Sequence, residues 1–279
     1  MTNWDYGNAY LEHPCASGTV IFEDGSQVET CDIMHHMPDF MRRADLIFVD
    51  PPWTQSNISS FYTKALLGAP PEYSEFHAAL FARIAEISPE TCYVEMGKDN
   101  LAETILAMRK LYRNVTFFNS TYYHRPDNLC YVVRGGKRRP ARKYDGMDEE
   151  DIIATICQEE DYTCIGDLCM GRGLIGLNAY KAGRRFVGTE LNHKRLSVLL
   201  KRISDLGGTY IVRENIEDLI PIGEYARLIG RDPANMRRRA SNGGFRTARK
   251  IGHVWMIDRN EPLIDRRVRD GKHIKRKSD

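Results

Sequence analysis

Short apolar runs along this chain alternate with longer stretches whose apolar positions recur at helical spacing. Leu46–Val49, Thr91–Glu95, Val115–Asn119, Cys130–Val133, the residues ending at Asp167, Arg185–Glu190 and 209–213 read as strands. Between them, 72–87 (opened by Pro70-Pro71), 99–112, the segment from Asp148, 174–182 and 193–205 read as helices. Asp148 supplies an N-cap with acids in the first turn behind it. Near the start, Gly18–Phe22 and Gln27–Thr30 flank Asp24-Gly25, a hairpin signal. Strands alternating with helices predict an α/β domain with a largely parallel sheet. The closeness of 115–119 to 130–133 predicts an antiparallel pair at one edge.

What leaves the strand Leu46–Val49 is Asp50-Pro51-Pro52-Trp53. In open α/β sheets, ligands bind at the carboxyl ends of the strands. Two prolines remove two backbone donors and stiffen the chain, so the Asp50 carboxylate and the Pro51 carbonyl can both face outward as acceptors. Such a pair suits a flat ring bearing an amine with two N–H bonds, and Trp53 can stack on that ring. The plain alternative is a strand-to-turn junction with a buried tryptophan.

A second motif follows in the later half of the chain, Asp167-Leu168-Cys169-Met170-Gly171-Arg172-Gly173. A strand ends at Asp167, two glycines permit a tight turn with close approach of a ligand, and a helix comes next. The following strand ends in Glu190, about 20 positions beyond the glycines, where an acid can take ribose hydroxyls.

Together these residues resemble the S-adenosylmethionine-dependent amino-methyltransferases of nucleic-acid bases, whose catalytic D-P-P-[YWF] motif serves adenine N6 and whose D-x-x-x-G-x-G loop holds the cofactor. The resemblance covers roughly residues 20–215. The catalytic motif precedes the cofactor loop here, an order similar to the β-class DNA enzymes and to the mRNA adenine methyltransferases. It implies a Rossmann-like, seven-stranded sheet in circularly permuted motif order, completed by 209–213. Asp50, Pro51, Pro52 and Trp53 are then the catalytic residues. Asp167, Leu168, Cys169, Gly171, Gly173 and Glu190 are the cofactor residues, with Asp32 from the segment upstream of the catalytic strand, although Cys31 stands where the family has glycine. Cytosine N4 enzymes of the family usually carry serine in the first motif position, so Asp50 points to adenine. The polar segment 54–62, tipped by Phe61-Tyr62, reads as a loop beside the catalytic strand end, either closing over a flipped base or simply lying on the surface.

Composition adds little to this, but charge divides the chain. Residues 1–221 carry 24 Lys and Arg against 31 Asp and Glu; residues 222–279 carry 16 against 7. A basic terminal unit suits a polyanionic partner. No apolar run approaches the ~18 residues of a membrane span, and no signal-peptide pattern opens the chain, so a cytoplasmic location without membrane association is expected. Seven cysteines contain no C-x-x-C pair, and His35-His36 point apart on a helix, so neither a disulfide framework nor a metal site is expected. Cys169 reads as a shape-filling residue rather than a nucleophile. Arg134–Lys143 packs six positive charges between glycines and a proline and reads as a phosphate-contacting linker, with Arg138, Arg139 and Arg142 as candidate contacts.

The division predicts a first domain over 1–217 and a second over 218–279. In the second, Ile222–Gly230 reads as a helix closed by glycine, and Asp232-Pro233 caps a second helix ending at Asn242-Gly243-Gly244. A hairpin over Ala248–Ile257 and a basic tail from Arg266 to Lys277 follow. The unit resembles the winged helix-turn-helix of excisionase and MerR-type proteins, which implies a double-stranded DNA partner and makes Arg237, Arg238, Arg239, Arg249 and Lys250 candidate contacts; a module for protein partners is the alternative.

The expected function is a DNA adenine N6-methyltransferase using S-adenosyl-L-methionine on a flipped-out base. An RNA adenine N6-methyltransferase and a catalytically inactive DNA-binding regulator are the alternatives. A homodimer stays open.

Overall fold

Leu46–Val49 (β3), buried along its whole length, lies in the middle of a ten-stranded mixed sheet. The computed structural model describes residues 6–213, 219–259, 261 and 263. Ahead of β3 come the short helix Ala9–Glu12 (α1), the strands Thr19–Phe22 (β1) and Gln27–Thr30 (β2), and a 3-10 turn at Asp39–Arg43. After it come helices Gln55–Lys64 (α2) and Tyr73–Ile87 (α3), strand Thr91–Met96 (β4), and helix Leu101–Leu111 (α4). Strands Asn114–Tyr122 (β5), Arg125–Gly136 (β6) and Met147–Asp148 (β7) precede helix Glu149–Glu159 (α5). Strand Cys164–Asp167 (β8), helix Leu174–Lys181 (α6), strand Arg185–Glu190 (β9), helix His193–Asp205 (α7) and strand Tyr210–Arg213 (β10) end the larger unit.

The strand order is β10-β1-β2-β9-β8-β3-β4-β6-β5-β7. β2, β9, β8, β3 and β4 run parallel, with the unbroken apolar run of β3 near the middle, and helices cover both faces. β6 turns back antiparallel to β4 and pairs with β5, the expected antiparallel hairpin, with the two-residue β7 outside it at the edge.

Three expectations need correction. The sheet has ten strands rather than seven, and 209–213, expected to complete it, is one edge strand among three that lie beyond β9. The N-terminal hairpin lies between, with β2 parallel to β9 and β10 at the outer edge against β1. Burial agrees with this order: β9 is covered on both faces from Phe186 onward, whereas β10 alternates half-buried with exposed residues, the pattern of an edge strand. Second, 54–62 is not a loop. Thr54 Oγ1 accepts from the Asn57 backbone N–H and starts α2, whose Ile58 and Tyr62 are buried. Third, Arg134 belongs to β6 rather than to the basic linker. It is buried over the Tyr93 ring, its Nε donates to the Tyr93 hydroxyl at 3.2 Å and its Nη1 to the Arg138 carbonyl at 3.0 Å.

The C-terminal unit packs helices Ile222–Leu228 (α8) and Pro233–Ser241 (α9) on a three-stranded antiparallel sheet of Leu219–Pro221 (β11), Arg249–Ile251 (β12) and Val254–Asp258 (β13), in the order β11-β13-β12. Asp232 caps α9 through the Asn235 N–H, and Pro233 fills its first turn, as the sequence requires. Ile220, Tyr225, Met236, Phe245 and Ile257 form its own small core. The expected boundary at 217/218 and the basic tail Arg266–Lys277 lie outside the described residues.

Candidate functional site

β3 and β8 are hydrogen-bonded neighbours, so Asp50 and Asp167 leave adjacent parallel strands at the same end of the sheet. β9 brings Glu190 to the same edge. The two sequence motifs therefore meet, as do the charges of Asp50, Asp167 and Glu190, which act on one another directly.

The Asp50 carboxylate accepts from Trp53 Nε1 at 2.9 Å and from the Tyr122 hydroxyl at 3.4 Å. Burial pushes its pKa up to about 6, against the lowering influence of the Trp53 bond, Arg195 and Tyr122. Trp53 is fixed from three sides. Its ring leans on Tyr122 with centroids 5.2 Å apart, Asn100 Nδ2 donates to its carbonyl at 2.7 Å, and it lies so close over Gly97 that a Cβ there would stand 2.8 Å from Cε3.

The glycine loop has the left-handed backbone its composition anticipates. Gly171 and Gly173 have φ of +56° and +74°, a region that costs a residue with a Cβ about 1–2 kcal/mol. A Cβ on Gly173 would also stand 2.6 Å from Leu199 Cβ. Asp167 Oδ1 accepts from the Cys169 N–H at 2.9 Å. Both oxygens of Glu190 take backbone amides of the chain, from Gly171 at 2.6 Å and Asn192 at 2.9 Å, so this carboxylate shapes the loop and retains second lone pairs for a ligand. Burial, then Asp167 and Glu190, push the Cys169 thiol well up, which keeps it un-ionised and agrees with a shape-filling role. Leu168 is buried, and its carbonyl accepts from Thr189 Oγ1.

Asp32 stands at the end of β2 and is already engaged: Oδ1 accepts from the Met34 N–H and Oδ2 from the Tyr62 hydroxyl at 2.8 Å. It ties α2 to the turn after β2. Five residues of the site were not singled out from the sequence: Glu95 at the end of β4, Asn100, Tyr122, Glu149 and Arg195. Glu95, an acid inside an apolar strand, was the readable signal among them. Burial of Glu149 pushes its carboxyl up to about 7 while both its oxygens accept from the Tyr123 N–H.

The candidate nucleic-acid contacts divide by burial. Arg138, Arg139, Arg142, Arg237, Arg238 and Lys250 are exposed, and Arg142 pairs with Glu159. Two are turned inward. Arg249 is 8% exposed and donates from Nη1 to Ser17 Oγ at 3.0 Å, which docks the C-terminal unit on the larger one. Arg239 is half-buried, over the Phe245 ring at 4.9 Å and donating to the Gly244 carbonyl. In both, the guanidinium lies where the chain needs a donor beside a packed surface, so neither is aligned with the solvent-facing arginines. Among the described residues no helix is long and apolar enough to cross a membrane.

No protein-family model and no curated protein matches this sequence. Solved structures do resemble it. The M1.HpyAVI–SAM complex has a TM-score of 0.48 at 14% identity, over 63% of this chain and 98% of its own. TTHA0409 from Thermus thermophilus, complexed with S-adenosyl-L-methionine, has 0.45 at 15%, over 64% and 93%. The cytosine-N4-specific PvuII DNA methyltransferase has 0.41 at 11%, over 65% and 90%. Identities of this size with TM-scores below 0.5 leave the chemistry to be argued from this chain's own residues.

Proposed function

We propose that this protein transfers the methyl group of S-adenosyl-L-methionine to N6 of adenine in double-stranded DNA. The observation that carries the reading is the meeting of Asp50-Pro51-Pro52-Trp53 with the Asp167–Gly173 loop at the ends of adjacent parallel strands. The residues fit a cationic nucleoside cofactor. Three carboxylates, Asp50, Asp167 and Glu190, concentrate negative potential at the loop, which suits a sulfonium and an ammonium group. At Gly171 the nearest atom to an added Cβ is Arg195 Nη2 at 3.6 Å, so the backbone is open to close approach.

When bound, the cofactor supplies an electrophilic methyl group. Asp167, Gly171, Gly173 and Glu190 would hold it, Gly171 by leaving its backbone open to close approach and Gly173 by permitting the tight turn against Leu199. Asp50 accepts one N–H of the target amine, the Pro51 carbonyl accepts the other, and Trp53 stacks on the base. Gripping both hydrogens offsets delocalisation of the amine lone pair into the ring, and positioning with electrostatics supplies the rate. Trp53 Nε1 occupies one lone pair of Asp50 Oδ1, and the carboxylate retains others for the amine. The C-terminal unit acts as a winged helix-turn-helix over residues 218–279, with Arg237, Arg238 and Lys250 as its phosphate contacts and Arg138 and Arg139 extending the surface.

The test is methyl transfer from labelled cofactor to unmethylated duplex DNA and to RNA, followed by digestion and identification of the methylated nucleoside. N6-methyladenine in DNA, absent with Asp50→Ala, is the expected result. N4-methylcytosine, label in RNA alone, or no label overturns it.

A further inference from the structure

Glu95 is a buried acid of the site that takes no part in holding the cofactor or the amine. It lies at the carboxyl end of β4, where the register pairs Val94 with Val49, so Glu95 and Asp50 stand side by side on neighbouring strands. It is 1% exposed, and Oε1 has no hydrogen-bond partner among the described residues. A buried polar atom without a partner is rare and costly, and such atoms mark places where a ligand completes the bonding.

From this placement we propose that Glu95 is a specificity-determining residue that reads the target base, its carboxylic acid donating a hydrogen bond to the ring nitrogen beside the amine that Asp50 grips. The inference rests on the reading of the site as one for adenine. Adenine carries an acceptor nitrogen next to its amine, and a neutral acid is a donor matched to it; a carboxylate would face that nitrogen with repulsion. Of the groups facing Glu95, the acids Asp50, Glu149 and Asp148 favour the neutral form, whereas the Cys130 thiol, bonded to it, favours the charged one. Asp50 comes from the end of β3, Tyr122 from β5, the Cys130 thiol from β6, and Asp148 and Glu149 from the start of α5. Burial comes first and the charges of Asp50 and Glu149 next, and together they push the carboxyl well above the ordinary range. Asp50 thus serves as acceptor and Glu95 as donor, two carboxyl groups separated into opposite roles by their surroundings.

The decisive comparison uses full-length wild type, Glu95→Gln and Glu95→Met, with unmethylated duplex DNA and labelled S-adenosyl-L-methionine, followed from pH 6 to 10. Calorimetric cofactor affinity reports on folding. Glutamine keeps a donor at every pH, so Glu95→Gln is expected to retain kcat/KM within about fivefold at pH 7 and to lose the alkaline decline that ionisation of Glu95 imposes on wild type. Glu95→Met is expected to lose about 10–100-fold in kcat/KM, the size of one base-reading hydrogen bond, with cofactor affinity unchanged. Equal kcat/KM for Glu95→Met and wild type, or an alkaline limb identical in wild type and Glu95→Gln, overturns the proposal while leaving methyl transfer established. A wild type that binds cofactor and transfers nothing overturns the parent reading, and this one with it.

Discussion

Replacing Asp50 with asparagine removes a charge the fold does not welcome, so the variant should lose its activity and gain stability. A carboxyl whose pKa is raised on folding binds its proton more tightly in the native chain than in the unfolded one. Its cost is therefore absent below the unfolded value of 3.8, grows as the pH rises, and is complete above about 6. At ~1.4 kcal/mol per pH unit, that interval corresponds to about 3 kcal/mol, or about 2 after allowance for the partial exposure of Asp50. The asparagine would keep an oxygen for the Trp53 Nε1–H and carry no charge. Thermal unfolding at pH 8 should accordingly show Asp50→Asn more stable by about 2–3 kcal/mol, or about 4–12 °C in Tm for a domain of this size, and at pH 5 by roughly half of that. Methyl transfer should fall at least ~100-fold, as expected when one preorganised electrostatic group is lost. Equal Tm gains at the two pH values, or none, would refute an ionised, desolvated Asp50.

Three further outcomes follow from the geometry. Gly173→Ala meets both a positive φ and the buried Leu199, and should cost about 2–5 kcal/mol in denaturant unfolding, whereas Gly171→Ala meets strain alone and should cost about 1–2; equal losses would remove the packing argument. Gly97→Ala should push the indole of Trp53 off Asp50, lowering kcat and shifting the Trp53 Nε1–H resonance, with cofactor affinity unchanged. Lys250→Ala, at an exposed position, should reduce the slope of log DNA affinity against log salt by about 1, while Arg249→Ala, at a buried one, should lower Tm and leave the slope alone.

Local order in this chain followed from local signals. Four apolar residues before Asp50-Pro51, the capping residues Asp148 and Asp232, and glycines where φ must be positive each specify their own few residues whatever the rest does, and β3, α5, α9 and the turn at 171–173 formed where those signals lie. That Asp50, Asp167 and Glu190 share one end of a sheet was legible too, because each ends a parallel strand. The segment 54–62 misled because its polar, small residues match a loop in composition. Its helix depends on the Thr54 cap and on a buried face, Ile58 and Tyr62, that has meaning only once β3 and Asp32 are in place.

The elements, their alternation and the chemistry at two strand ends were thus written in the amino-acid order. Which strand lies beside β9 was settled by tertiary packing, because pairing across 160 residues is a competition for a buried edge that no local pattern encodes. Packing likewise turned Arg134, Arg239 and Arg249 inward while their neighbours face water, since a guanidinium's position depends on which aromatic ring or carbonyl lies opposite. And it placed Glu95 beside Asp50, a pairing set by the register of β3 on β4, so that two acids 45 positions apart come to share one desolvated site.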